Sequence, residues 1–119
     1  MKDFRRLKVW QKAHFLTLKV YEATRTYPKE ELYGLTAQMR RSSSSIPTNI
    51  AEGCGRGGDV EFARFLQIAM GSASELEYEL ILSRDLHYLN LDEYEHLNQD
   101  TIEVKRMLAP FIGKLKADR

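Results

Sequence analysis

The segment from Met39 to Asp59, MRRSSSSIPTNIAEGCGRGGD, holds the residue types that could do chemistry. A serine becomes a nucleophile when a general base lies beside it, and no histidine of the chain lies near this segment in sequence. No known nucleophile motif surrounds the run from Ser42 to Ser45. We therefore interpret these serines as small residues that let a neighbouring helix approach, or as hydroxyls that hydrogen-bond to the helix backbone. The sequence predicts no catalytic residue.

The glycines of the same segment, Gly53, Gly55 and Gly58, match the G-x-G-x-x-G spacing of dinucleotide-binding loops. That fingerprint requires a strand before the loop, because the phosphate binds where a strand passes into a helix. Here a helical pattern precedes the glycines, and Asp59 places a carboxylate where the phosphate would bind. We predict a helix C-cap and a flexible connection, and no nucleotide cofactor.

Four stretches of the chain repeat apolar residues at intervals of three and four, which is the helical period. No stretch alternates with the period of a strand, and no Asn-Gly or Asp-Gly hairpin turn appears. We predict an all-α protein with one domain, 1–119, folded as an antiparallel up-down four-helix bundle. Asp59 is the predicted N-cap of the third helix, and Asp92 with Glu95 is the predicted capping box of the fourth. The predicted helices span about 7–27, 30–53, 59–89 and 92–117.

The second helical pattern keeps its period across Pro47, from Met39 through Ile46 to Ile50. A helix that ended at the proline would have no reason to keep its phase. We predict that helix 2 is kinked at Pro47, where the carbonyl of Ser43 loses its backbone donor. A proline costs about 3 kcal/mol in an ordinary helix interior, and a nearby hydroxyl or a water molecule could satisfy the carbonyl.

Composition bounds the class of protein. The chain is 43% hydrophobic and 29% charged, values that are ordinary for a globular protein. No apolar run approaches the length of a membrane span, so we expect a cytoplasmic protein with no membrane partner. The net charge is +1, but residues 1–60 carry 11 Lys and Arg against 6 Asp and Glu, and residues 61–119 carry 7 against 11. This asymmetry permits an anionic partner or self-association through complementary faces.

A basic surface is the strongest candidate for binding. Arg40 and Arg41 lie off the buried stripe of the second helix, and with Lys8, Lys12 and Arg56 they could hold the phosphates of a nucleic acid. We predict that any such binding depends chiefly on Arg40 and Arg41 and weakens steeply with salt. The alternative is a solvated face, or salt bridges between subunits.

A metal site is the other chemistry that helix bundles support. Di-iron bundles need a Glu-x-x-His motif on each of two helices and a glutamate from each of the others. Glu93 and His96 have this spacing, but the sequence has no second copy of the motif. The single cysteine, Cys54, also excludes an internal disulfide. We predict no metal, no cofactor and no small-molecule substrate.

Four segments together resemble a known family: VWQKAHFLTLKVY, YGLTAQMRRSSSSIPTNIAEGCGR, EFARFLQIAMGSASELEYEL and LHYL. In order and spacing they are similar to the four-helix-bundle family encoded by 23S rRNA intervening sequences, also labelled the S23 ribosomal protein family. Nine residues match the family pattern, and we interpret most of them as structural: Trp10, Pro47, Asn49, Ile50, Glu52, Gly53, Phe62, Phe65 and Gly71.

The resemblance implies a small bundle that assembles as a ring-like homopentamer, and no enzymatic activity comes with it. The family is related to the accessory variability determinant of diversity-generating retroelements, which has a basic surface and binds nucleic acid and a reverse transcriptase. RNA, DNA or a reverse transcriptase is therefore the implied partner, besides further copies of the chain.

A glycine inside the third helix adds a reason from the residues themselves to expect assembly. A glycine inside a helix, such as Gly71, lowers stability by about 1 kcal/mol relative to alanine, and an exposed position gives no compensating advantage. Close approach of another helix, within or between subunits, would explain it. The prediction is a non-enzymatic homo-oligomer that binds nucleic acid or a nucleic-acid enzyme through a basic surface. The alternative is a purely structural or protein-interaction oligomer with no nucleic-acid role.

Overall fold

Four α-helices build the protein in the computed structural model, which describes residues 3–117. Short 3₁₀ turns precede the first two helices, at Phe4–Arg6 and Lys29–Glu31, and no strand occurs among the described residues. The predicted all-α class is confirmed. The helices are α1 (Lys8–Thr24), α2 (Leu35–Cys54), α3 (Asp59–Asp85) and α4 (Leu91–Ala117).

Each helix packs against the next one along the chain, and α4 packs back against α1. Residue pairs across the α2–α3 contact run in opposite order: Ser42 hydrogen-bonds to Glu79, whereas Ser45, farther along α2, contacts Ser72, which comes earlier in α3. Neighbouring helices are therefore antiparallel at this contact. The bundle measures 46 × 22 × 20 Å, with its long axis along the helices.

The core consists of the apolar stripes that the sequence predicts. Removing one large aliphatic side chain from water stabilises the fold by roughly 1.5–3 kcal/mol, so ten such residues in one core hold the four helices together. The fully buried members are Leu16, Val20, Met39, Ile46, Ile50, Leu66, Leu76, Leu80, Val104 and Leu108.

Helix ends differ from the predicted bounds where local capping decides. Helix α2 begins at Leu35, not near residue 30, because the residues before it form a 3₁₀ turn and Gly34 is the N-cap. The carboxylate of Glu31 accepts a hydrogen bond from the Leu35 N–H at 3.2 Å, which satisfies one free donor of the new helix. Helix α3 ends at Asp85, several residues before the predicted end, and His87 follows with a φ of 65°.

Both predicted N-terminal caps were wrong. The capping box of α4 is formed two residues earlier than predicted, by Asn90 and Glu93. The Glu93 N–H donates to Asn90 Oδ1 at 2.8 Å, and the Asn90 N–H donates to Glu93 Oε1 at 3.1 Å. Gly58 is the N-cap of α3, and Asp59 is its first helical residue, where its charge favours the helix dipole.

Helix α2 continues through Pro47 without a break, as the unbroken stripe predicts. The bend at this position stays a prediction. Pro47 is buried, and together with Trp10 it lines the groove between α1 and α2.

The glycines between α2 and α3 serve packing and capping, and a helix precedes them where a dinucleotide loop would need a strand. Gly53 lies inside α2, where a Cβ atom would come within 2.9 Å of both Phe62 Cδ1 and Phe65 Cβ. Gly55 is the C-cap of α2, and Gly57 has a φ of 80°, which favours glycine. Gly53 thus permits the close approach of α3 to α2.

Candidate nucleic-acid interface

Arg40 is held against α1. Its Nε donates to Thr24 Oγ1 at 2.9 Å, and its guanidinium lies over the ring of Tyr21, 4.9 Å from the ring centre. The side chain is half-buried at the seam between α1 and α2. These contacts fix the guanidinium in one place and direct it away from its sequence neighbour.

Arg41 is exposed and lies toward α3. Its charge acts on the buried carboxylate of Glu79, which is only 3% exposed. Burial raises the pKa of Glu79 above its ordinary value, and the hydrogen bond from Ser42 and the charge of Arg41 offset only part of this. Because Arg40 lies toward α1 and Arg41 toward α3, the two arginines do not form a joint surface.

Lys12 lies at the opposite seam, between α1 and α4, and its charge is already neutralised. Its ammonium is 2.6 Å from Glu103 Oε2 and 3.3 Å from Asp100 Oδ1. The hydrogen bond to Glu103 is the main cause that raises the pKa of Lys12 above its ordinary value. Lys12 therefore contributes to holding α4 against α1 rather than to a basic surface.

Lys8 and Arg56 lie at the same end of the bundle, where α1 begins and α2 ends. Arg56 pairs with Glu52 at 3.0 Å and lies over the ring of Phe65 at 5.0 Å. Lys8 is exposed and makes no ion pair within residues 3–117. Of the five predicted binding residues, the structure thus places two at one end of the bundle and directs Arg40, Arg41 and Lys12 toward three different helices.

The charges of the chain are sorted along the long axis of the bundle. Among residues 3–117, one end, here called the basic end, carries seven cationic residues: Arg5, Arg6, Lys8, Arg56, Arg64, Lys114 and Lys116. The same described residues place four anionic side chains at this end: Asp3, Glu52, Asp59 and Glu61. The opposite end, here called the acidic end, has Arg25, Lys29 and Arg84 against Glu22, Glu30, Glu31, Asp85, Asp92, Glu93 and Glu95. Lys114 and Lys116 belong to the acidic half of the sequence, and the antiparallel course of α4 returns them to the basic end.

An open groove of about 390 Å³ runs between α1 and α2 toward the basic end. The rings of Trp10 and His14 stack there at 5.0 Å with an interplanar angle of 9°, and Phe4 contacts Trp10 edge-on at 5.1 Å. We call this the aromatic groove. Its lining residues are Phe4, Trp10, His14, Thr17, Ser44, Pro47, Thr48 and Ala51.

Two helices expose apolar side chains that the protomer leaves uncovered. On α1, Phe15 is 59% exposed, and Leu18 and Tyr21 lie close to it along the helix. On α3, Tyr78 is 61% exposed, and the exposed Val60 and Ile68 precede it. Exposed apolar side chains that lie close together, as on α1, favour contact with another protein surface.

Gly71 lies on the exposed side of α3. A Cβ atom at this position would meet no atom of the described chain within 4 Å. Close approach of a helix within the subunit is therefore not the reason for this glycine, and the contact between subunits remains a prediction.

The serine run serves the bundle. Ser42 donates to Glu79 Oε1 at 2.6 Å, and Ser44 donates to the carbonyl of Arg40 at 2.8 Å. Ser45 lies 2.8 Å from Ser72 and accepts a hydrogen bond from the Asn49 amide at 2.9 Å. These bonds satisfy buried and half-buried hydroxyls. Asn49, a residue of the family pattern, thus helps to hold the α2–α3 contact.

Within residues 3–117, no group of three or more His, Cys, Asp or Glu side chains is placed to hold a metal ion. None of the described helices is both long enough and apolar enough to cross a membrane.

Comparisons with known proteins agree with this architecture. The family described as 23S rRNA-intervening sequence protein matches residues 5–110. A crystal structure of a protein of unknown function from the S23 ribosomal protein family of Bacteroides thetaiotaomicron is similar, with 27% identity and a TM-score of 0.79. The likeness covers 87% of this chain and 97% of that one. No curated protein matches the chain. The chain belongs to the 23S rRNA-intervening sequence protein family.

Proposed function

We propose that this protein is a non-enzymatic, self-assembling bundle that binds nucleic acid through its basic end. The observation that carries the proposal is the sorting of charge along the 46 Å axis of a chain whose net charge is only +1. A polyanion responds to the local field, so one cationic end suffices for binding although the whole protein is nearly neutral.

Free cations at the basic end support this assignment. Within residues 3–117, Lys8, Arg6, Lys114 and Lys116 make no ion pair, so phosphates can approach them without displacing a carboxylate. Helix dipoles add little, because two helices begin and two end at this end of the bundle. Contacts to phosphates give affinity with little dependence on base sequence.

The aromatic groove supports a preference for single strands. Flat rings next to a basic surface provide stacking positions for unpaired bases, each worth about 1–3 kcal/mol. Trp10 and His14 present such a stack, and Arg5 lies near it, 5.5 Å from the ring centre of Phe4. We expect single-stranded RNA or DNA to bind more tightly than duplexes.

Self-assembly would multiply weak contacts. The exposed apolar residues of α1 and α3 supply two different faces, which is what a closed ring of identical subunits needs. A pentamer, as the family resemblance implies, would repeat the basic end five times, and linked weak sites bind far more tightly than one site. A reverse transcriptase remains a further partner that the resemblance implies.

The test is titration of labelled single-stranded and duplex RNA and DNA at two salt concentrations. Wild-type affinity should fall more than about tenfold between roughly 50 and 200 mM salt if three or more phosphates are contacted. A Lys8→Ala/Lys114→Ala variant should bind at least about fivefold more weakly. The matched control is Arg41→Ala/Arg106→Ala, which removes two exposed cations from the middle of the bundle and should change affinity less than about twofold.

Two results would contradict the proposal: salt-insensitive or undetectable binding, or equal losses in the two double variants. Undetectable binding by a protein that still assembles would favour the second candidate, an oligomer that contacts proteins only. The exposed apolar faces of α1 and α3 are the observation that favours this candidate. A monomer mass by light scattering over a wide concentration range would refute assembly in either case.

A further inference from the structure

A second, smaller pocket lies at the other end of the bundle, between the end of α1 and the beginning of α2. Its volume is about 240 Å³, and it is more enclosed than the aromatic groove. Three of its eight lining residues are cationic, and none is acidic. The lining residues are Thr24, Arg25, Tyr27, Pro28, Lys29, Leu32, Thr36 and Arg40.

Arg40 is the preorganised cation of this pocket. Thr24 accepts from its Nε, and the ring of Tyr21 lies against its guanidinium, while the Tyr21 carbonyl is 3.5 Å from Nη2. A guanidinium has five N–H donors, so these contacts leave others for a ligand. A half-buried, fixed arginine loses little conformational freedom when it binds an oxyanion.

Thr36 supplies the second, independent observation. It lines the pocket and is only 3% exposed, yet within residues 3–117 its hydroxyl makes no hydrogen bond. Its oxygen is not among the fully buried unpaired atoms of the described chain, so the hydroxyl keeps access to the open space of the pocket, where a partner can reach it. A ligand in the pocket would provide that partner.

The beginning of α2 adds further donors beside Thr36. The Leu35 N–H is taken by Glu31, and the Gln38 N–H bonds to the Gly34 carbonyl. The N–H groups of the two residues between them are among the donors that have no partner inside the helix. The first turn of a 20-residue helix also carries partial positive charge, which favours an anion.

Two neighbouring carboxylates, Glu22 and Glu31, have partners of their own. Glu22 pairs with Arg25 at 3.0 Å, but both side chains are 71% exposed, so the pair is weak and can open for a ligand. Glu31 is engaged by Leu35 and by the Tyr88 hydroxyl at 3.0 Å. Lys29 makes no ion pair within the described chain.

We propose that this pocket binds a phosphate group, carried either by inorganic phosphate or by a small phosphomonoester. Two to three cations with hydroxyl and N–H donors suit a phosphate of charge near −2. The volume lies below the usual range for whole cofactors, so the phosphate is the part enclosed and any attached group extends outward. The site lies at the acidic end and does not rest on the proposed nucleic-acid binding at the basic end.

The experiment measures the melting temperature and calorimetric binding with inorganic phosphate, adenosine 5′-monophosphate and adenosine, each at ionic strength matched with chloride. Millimolar phosphate or the nucleotide should raise the melting temperature by about 3 °C or more, and adenosine should not. A larger effect of phosphate identifies the free anion as the ligand, and a larger effect of the nucleotide identifies the phosphomonoester.

Three variants connect the effect to the pocket. Lys29→Gln, an exposed change that leaves the fold intact, should weaken binding about tenfold, and Arg40→Gln should weaken it further. Thr36→Val should reduce the phosphate effect without lowering the melting temperature of the free protein, because the lost hydroxyl has no partner there. Arg41→Gln is the matched control on the neighbouring residue and should bind phosphate as the wild type does.

The proposal is overturned if phosphate and the nucleotide act no differently from chloride, or if adenosine acts as strongly as the nucleotide. It is also overturned if Lys29→Gln and Thr36→Val bind phosphate with wild-type affinity. The phosphate measurements are independent of the proposed nucleic-acid binding. A loss of nucleic-acid binding in Lys8→Ala/Lys114→Ala would not change them.

Discussion

Thr17 Oγ1 lies 2.9 Å from the carbonyl oxygen of Ser43, the acceptor that Pro47 leaves without a backbone donor. The hydroxyl is also 2.9 Å from the carbonyl of Ala13, so it shares its proton between its own helix and α2. Both side chains are buried. A threonine on α1 therefore supplies the hydrogen bond that the proline removes from α2, and it joins the two helices at that point.

Replacing Thr17 by valine, which has nearly the same shape, should lower the free energy of unfolding by about 1–3 kcal/mol, because the buried Ser43 carbonyl loses its donor. Urea unfolding measures the loss. The control is Thr101→Val, which should cost less, since within residues 3–117 the Thr101 hydroxyl donates only to Leu97 of its own helix.

A Pro47→Ala background tests the cause. Alanine restores a backbone N–H at position 47, so the Thr17→Val change should cost less in that background than in the wild type. Equal costs in the two backgrounds would contradict this role for Thr17.

Glu79 gives a prediction for pH. Burial raises the pKa of this carboxyl in the folded protein, so its contribution to stability is complete below the unfolded pKa and is lost as the pH rises through the folded pKa. Glu79→Gln cannot ionise and can still accept the hydrogen bond from Ser42. The variant should be more stable than the wild type at neutral pH, and the difference should disappear toward about pH 4.

Chemical denaturation at several pH values measures that difference. Glu95→Gln, on the exposed side of α4, is the control for the removal of one carboxylate. A constant difference between Glu79→Gln and the wild type across this pH range would show that Glu79 has an ordinary pKa in the folded state.

His87 follows α3 with a φ of 65°, a left-handed conformation that costs a residue with a side chain about 1–2 kcal/mol. This conformation lets the chain form the hydrogen bonds that end the helix. The His87 N–H donates to the Arg84 carbonyl at 3.0 Å, and the Tyr88 N–H donates to the Ser83 carbonyl at 2.9 Å. His87→Gly should stabilise the fold by up to about 1 kcal/mol. His87→Ala should not stabilise it in thermal unfolding, and similar gains for both variants would exclude backbone strain as the cause.

The elements of this fold could be predicted from the sequence because apolar periodicity directly reports helices and their buried faces. The stripe through Met39, Ile46 and Ile50 predicted correctly that α2 passes Pro47. The capping residues were harder to predict than the helices. Asn90 with Glu93 and Asp92 with Glu95 have the same spacing, and both pairs have the residue types of a capping box. Which pair caps α4 depends on where the chain leaves the preceding turn.

The predicted basic surface shows the limit of helical-wheel reasoning. Arg40 and Arg41 are about 100° apart on one helix, which is enough to place them at seams with different neighbours. A helical wheel gives the direction of each side chain but not the residue that it contacts. The contact of Arg40 with Tyr21, and that of Lys12 with two carboxylates, therefore could not be predicted. Dividing the sequence into halves compares the charges of residues 1–60 with those of residues 61–119. The basic end could have been predicted by assigning each charge to a position along the axis of an antiparallel bundle.

Gly71 connects the structure to assembly. Because a Cβ atom at this position meets nothing in the described chain, Gly71→Ala should stabilise an isolated subunit by about 1 kcal/mol through helix propensity alone. If a helix of another subunit approaches closely here, the added methyl group should instead weaken association.

Gly113→Ala is the matched control, since Gly113 lies on the exposed side of α4 and a Cβ atom there also meets nothing within 4 Å. Light scattering over a range of concentrations should show dissociation of Gly71→Ala at concentrations where Gly113→Ala and the wild type remain assembled. The same mass for both variants at every concentration would place Gly71 outside the contact between subunits, and the exposed apolar residues of α1 and α3 would then be the remaining candidates for that contact.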